Sequence, residues 1–99
     1  MGIDIAVDEL YSTGWSALDS AGCEPDAHGR WVPTAERVRA EFRGEGLELS
    51  ILHVQLFDCY RAEWSAGAGL PAGGVVGSSE REAAVFALAQ LRRSRSGVA

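Results

Sequence analysis

Gly77-Ser78-Ser79-Glu80-Arg81-Glu82-Ala83-Ala84-Val85-Phe86-Ala87-Leu88-Ala89-Gln90-Leu91 is the stretch on which the fold turns. Ser79, followed three residues later by Glu82, has the form of a capping box: the hydroxyl takes one orphan amide and the carboxylate returns to another. Behind it Ala84, Ala87, Leu88 and Leu91 recur at helical spacing. That spacing predicts a main helix over 79–93 with an apolar stripe on one side.

Upstream of this helix lie the strands it would cover. In Leu47-Glu48-Leu49-Ser50-Ile51-Leu52-His53 the residues Leu47, Leu49 and Ile51 share one face, the pattern of a half-buried strand. Asp58-Cys59-Tyr60-Arg61-Ala62-Glu63-Trp64 alternates too, with Tyr60, Ala62 and Trp64 opposite Cys59, Arg61 and Glu63. Gln55 to Phe57 falls between them as a turn or bulge. Ser65 to Gly74 reads as a Gly/Ala/Pro loop, and Val75-Val76 as a short third strand. The fold class is therefore α+β: a small antiparallel three-stranded sheet packed by helices.

Further toward the N-terminus, Pro33-Thr34-Ala35-Glu36 opens a second helix with Thr34 as its cap. Ala35, Val38 and Phe42 form its buried side, Glu36, Arg37, Arg39, Glu41 and Arg43 its wet side, and Gly44 or Gly46 stops it. Ser20 to Pro33 reads as a loop presenting Arg30 and Trp31. Asp8 is placed to cap a brief helix ending at Gly14, with Leu10, Tyr11, Trp15 and Leu18 packing inward and Trp15 anchoring that lobe. Residues 1–7 are expected to be an arm and residues 94–99 a polar tail. The whole of 1–99 makes one domain, since this length suits a single modest core.

An apolar share of 46% and a charged share of 23% belong to an ordinary globular protein. No apolar run approaches a membrane span and the opening residues do not read as a secretory leader, so a cytoplasmic location and no membrane partner are expected. Nine Arg and no Lys against fourteen Asp and Glu leave a net charge of −5. Phosphate backbones repel an acidic chain, so nucleic acid is not the expected partner. The exception in charge is the C-terminal cluster Arg92, Arg93 and Arg95, the one basic patch on which nucleic-acid binding would depend.

The segment Gly77-x-Ser79-x-x-Glu82-Ala83-x-x-x-Ala87-Leu88-x-x-Leu91, preceded by Arg61-Ala62-Glu63-Trp64, resembles two known patterns over roughly the C-terminal half. It is similar to the phage ABA sandwich domains, α-β-β-β-α units with no established activity; that resemblance implies a bacterial or phage setting. It also resembles the double-stranded RNA-binding domain, which shares the order of elements. There Ser79 matches the motif's serine and Ala83 its alanine, while the two motif lysines fall on Glu80 and Arg81 and a later basic position on Ala84.

Candidate chemistry is sparse. Cys23, His28, His53 and Cys59 hold the atoms of a Cys₂His₂ zinc site, with pairs from a loop and from a hairpin, in a spacing that fits no established finger. Without that site the two cysteines are expected to be free thiols, or one disulfide if the fold brings them together. Asp58 beside Cys59 works against a thiolate nucleophile. Gly67, Gly69, Gly73 and Gly74 lack the Lys and the strand-to-helix context of a phosphate loop. No cofactor and no enzymatic activity are expected. Aromatic and Arg residues are the favoured anchors of protein interfaces, which points to Arg30, Trp31, Tyr60, Arg61 and Trp64. The expected function is a small non-catalytic interaction or accessory module with a protein partner or a second copy of itself. The alternatives are a nucleic-acid-binding module and a zinc-stabilised domain.

Overall fold

The computed structural model describes residues 3–15, 22–25, 29–65 and 71–96, with side chains for all of these except 71, 72, 95 and 96. Its elements run α1 (Asp4–Ser12), β1 (Cys23–Pro25), β2 (Trp31–Pro33), α2 (Ala35–Gly44), β3 (Glu48–Val54), β4 (Cys59–Ser65), β5 (Pro71–Gly77) and α3 (Glu80–Ser96). β1 and β2 form a two-stranded antiparallel ribbon, and β3-β4-β5 an antiparallel sheet in that order. The α+β class and the C-terminal helix laid on the sheet follow the reading above.

α3 starts where the capping signal puts it. Ser79 Oγ accepts the Glu82 N–H at 3.1 Å, and the Ala83 N–H donates to the Ser79 carbonyl at 3.0 Å. The return arm of the box is displaced by one residue: the Glu82 carboxylate takes the backbone N–H of Ser78, and the Ser78 hydroxyl donates to it at 2.7 Å. The helix continues three residues beyond the expected end at Arg93, so the tail begins later than residue 94. Its apolar surface is also wider than one stripe. Ala83, Val85 and Ala89 are fully buried alongside Ala84, Ala87 and Leu88, because α3 is packed by α1 and α2 as well as by the sheet. A helix apolar nearly all round is a core helix. Its alanines let the neighbouring elements approach closely.

The sheet is built as its alternation dictates. Register pairs Leu49 with Trp64 and Gly73, Ile51 with Ala62 and Val75, and His53 with Tyr60 and Gly77 on the face toward α3. Ala62 and Trp64 are buried there, and the Trp64 ring tilts against Phe42 of α2 with centroids 5.3 Å apart. A single-turn 3₁₀ helix at Gln55–Phe57 joins β3 to β4, closed by Asp58 in the left-handed region. β5 is longer than two residues: Gly73 and Gly74, expected in a loop, are paired with Trp64 and Glu63. Gly73 is glycine because the Trp64 indole lies across it, and an added Cβ would sit 2.7 Å from indole Cε2.

α2 is capped by Thr34, whose Oγ1 accepts the Arg37 N–H at 3.2 Å. It ends in a Schellman turn with Gly46 at φ +77°, Gly46 N–H donating to Arg43 and Leu47 N–H to Phe42, both at 3.0 Å. Arg37 does not face water as expected. Its Nε donates to Glu41 at 2.9 Å and its guanidinium lies 5.2 Å from the centre of the Trp15 ring, with Arg92 at 5.6 Å from the same ring. Trp15 is the anchor it was expected to be, 7% exposed.

The N-terminal reading needs two corrections. Residues 4–7 are helix rather than arm: Ala6, Val7 and Leu10 make one fully buried face against α3, with Asp4 favourably placed in the first turn. Asp8 is therefore inside α1 and not its cap. Within 20–33, read as a loop, residues 23–25 and 31–33 form the β1-β2 ribbon, pairing Cys23 with Pro33 and Pro25 with Trp31. The ribbon is held from a distance. Arg81 at the start of α3 donates to the carbonyls of Val32 at 2.7 Å and Pro33 at 3.3 Å, and pairs with Glu24 at 3.0 Å.

Candidate interaction surface

The five residues expected to anchor an interface are distributed over three places. Trp64 is 7% exposed and packs the core, which removes it as a surface anchor. Tyr60 is half-buried on the same face, its ring 4.8 Å from that of His53, whose Nε2 lies 3.2 Å from Asp58 Oδ1. Arg30 and Trp31 belong to the β2 end of the ribbon and are tied to α1: Arg30 pairs with Asp8 at 2.5 Å and lies over the Tyr11 ring, and Tyr11 Oη donates to the Trp31 carbonyl at 2.8 Å. Arg61 stands on the opposite face of the sheet, where its Nε donates to Glu63.

That outer face has a structure the sequence reading passed over. Across β3-β4-β5 the register sets Leu52, Arg61 and Val76 in one row. Val54 and Cys59 make the row nearer the 3₁₀ turn, and Ser50, Glu63 and Gly74 the row on the other side. Leu52 is 58% and Val76 51% exposed, and at the adjoining tip Leu56 is 84% and Phe57 74% exposed. Among the described residues the fifth exposed large apolar side chain is Ile5, on α1. Two of the five therefore stand on this face, and two more at the tip that adjoins it. The signal was present in Leu52, Leu56 and Phe57, three large apolar residues at positions that the strand pattern assigns to solvent or to a turn.

The other end of the face is polar. A dent of about 130 Å³ is lined by Glu48, Ser50, Glu63, Trp64 and Ser65. Around the edge of the sheet, a more open groove of about 410 Å³ runs between Trp64, Gly73 and Gly74 on one side and Gln90, Arg93 and Ser94 on the other. Glu48 has no side-chain partner among the described residues.

The three described zinc candidates, Cys23, His53 and Cys59, do not converge. His28 lies outside the described residues. Cys23 is in the ribbon, and His53 and Cys59 point to opposite faces of the sheet, because their register partners Tyr60 and Val54 are on opposite faces. Among the described residues no group of three His, Cys, Asp or Glu is placed to hold a metal ion. Of the basic cluster, Arg92 and Arg93 are engaged within the chain. Arg92 Nε donates to Thr13 Oγ1 at 2.9 Å, Arg93 contacts Gln90 at 3.0 Å and Glu9 at 3.3 Å, and the Arg95 side chain lies outside the described part. At the helix start, where phosphate would have to bind, Glu80 pairs with Arg39 at 3.2 Å and Arg81 is committed to the ribbon. Among the described residues no helix is long and apolar enough to cross a membrane.

These features define a small α+β protein with an exposed, half-apolar sheet face. No known protein family, curated protein or solved structure matches the chain.

Proposed function

We propose that this protein is a small non-catalytic interaction module that presents the outer face of β3-β4-β5 to another protein. The observation that carries the reading is the exposure of Leu52 and Val76 on that face together with Leu56 and Phe57 at the adjoining tip. Scattered surface apolar residues need no explanation, but four of the five large exposed ones toward one end of a sheet, beside a polar region, mark a docking surface. An open face on an antiparallel sheet is ordinary, and such a face is normally polar. Here Leu52 and Val76 flank the stem of Arg61 and make it apolar.

The test is site-specific photo-crosslinking in cells that produce the full chain. A photoreactive phenylalanine analogue is placed in turn at Leu52, Phe57 and Val76, and at Glu36 on the exposed side of α2 as a control. Discrete higher-mass protein adducts from the first three positions and none from Glu36 support the reading. The absence of adducts from Leu52, Phe57 and Val76 alike would end it.

A further inference from the structure

The outer face is bipartite, and its two halves constrain what can sit on it. Two residues along a strand span about 6.8 Å, so the apolar row of Leu52 and Val76 lies one such step from the row of Ser50 and Glu63 and two from Glu48. The apolar half ends at the Leu56-Phe57 tip, and the polar half at the dent lined by Glu48, Ser50, Glu63 and Ser65. Charge on this surface is one-sided. Glu48 and Glu63 stand against Arg61, and Arg61 is already engaged by Glu63. The row of Leu52 and Val76 is thus bordered by carboxylates on the side of the dent.

We propose that this face takes an amphipathic, basic segment of a partner protein. The segment sets apolar side chains against Leu52, Phe57 and Val76, and a Lys or Arg into the dent beside Glu48 and Glu63. This inference rests on the interaction-module reading and adds the chemistry of the partner. A second copy of the chain is the poorer occupant. Its face would bring the same excess of carboxylates, on a molecule of net charge −5, into contact well inside the Debye length of about 10 Å at 0.1 M salt. Nucleic acids and anionic membranes carry the same wrong sign. A small cation would satisfy the dent and leave the apolar half wet.

The experiment titrates the full chain with three synthetic peptides and reads fluorescence anisotropy. One is an amphipathic helix with Leu on one face and Lys on the other. The second replaces each Lys by Glu, and the third scrambles the first so that its Leu residues no longer share a face. The amphipathic Lys peptide is expected to bind at least ~10-fold more tightly than either other peptide at about 50 mM salt. The double variant Glu48→Gln, Glu63→Gln should remove most of the preference over the Glu peptide, and Phe57→Ser should weaken binding ~5-fold or more. Ile5→Ser, an exposed position on α1 across the molecule, should change nothing. Equal binding of the Lys and Glu peptides, or equal binding of the scrambled one, would overturn the proposal. So would a dimer mass at low salt that Phe57→Ser abolishes, which would put a second copy on the face. Crosslinks from Leu52, Phe57 and Val76 that persist while the peptide preference is absent would refute the partner's chemistry alone. Missing crosslinks would instead remove the reading beneath it.

Discussion

Gly77 shows at a single residue how the helix and the sheet are joined. A Cβ built there would lie 2.6 Å from the Ala83 amide nitrogen and 2.9 Å from Ala83 Cα. Both are backbone atoms of α3, so no side chain can swing away to make room. Gly77→Ala should destabilise the protein by about 1–3 kcal/mol, the usual cost of overpacking a close contact. Urea unfolding measures it, and an unchanged midpoint would mean that the strand end and the helix start are not this close. Ser79→Ala removes the one bond that Ser79 Oγ gives α3, the acceptance of the Glu82 amide at 3.1 Å, and should cost about 1 kcal/mol in the same measurement. The caps at Ser79 and Thr34 were legible in the sequence because a cap is decided within four residues. Gly73 and Arg81 were not. One is glycine because of a Trp nine residues away across a sheet, and the other bonds to Val32 and Pro33 nearly fifty positions earlier in the chain.

At the scale of elements, α3 carries the core and Arg81 fastens the ribbon, and the two roles separate experimentally. Leu88 is 1% exposed in the middle of α3, so Leu88→Ala should lower stability by about 2–5 kcal/mol and do so for the whole molecule. Arg81→Ala should act locally. It leaves the carbonyls of Val32 and Pro33 and the Glu24 carboxylate without this donor, and amide hydrogen exchange at Cys23, Glu24, Trp31 and Val32 should accelerate while β3, β4 and β5 keep their protection. Arg81→Lys should not restore it fully, since a single ammonium cannot replace a planar fork reaching three acceptors. Uniform acceleration through the sheet would show that Arg81 supports the fold as a whole. The sheet and α2 were readable because their alternation and periodicity are strong. The ribbon was not, because three-residue strands with Pro25 and Pro33 carry no periodic signal and exist by virtue of tertiary bonds. α1 was half-seen: its buried face, Ala6, Val7 and Leu10, begins before the Asp8 that looked like a cap.

For the whole molecule, most of the arginines are turned to internal use. Arg30 pairs with Asp8, Arg37 with Glu41, Arg39 with Glu80, Arg61 with Glu63, Arg81 with Glu24 and Arg93 with Glu9. A chain of net charge −5 that spends its cations this way shows its excess carboxylates to the solvent, among them Glu48 on the outer face of the sheet. Attraction between patches and repulsion between carboxylates therefore oppose each other whenever two copies meet. Salt alters only one of these. The Debye length falls from about 10 Å at 0.1 M to about 3 Å at 1 M, while sulfate strengthens apolar burial. The protein should accordingly scatter light as a monomer at about 0.05 M sodium chloride up to hundreds of micromolar, and begin to self-associate in about 1 M sodium sulfate. Phe57→Ser should suppress that association, because it deletes the most exposed aromatic ring of the patch. The opposite trend, a dimer at low salt that dissociates as salt is added, would mean that like faces attract electrostatically. The acidic border would then not be what keeps this surface free for a basic partner.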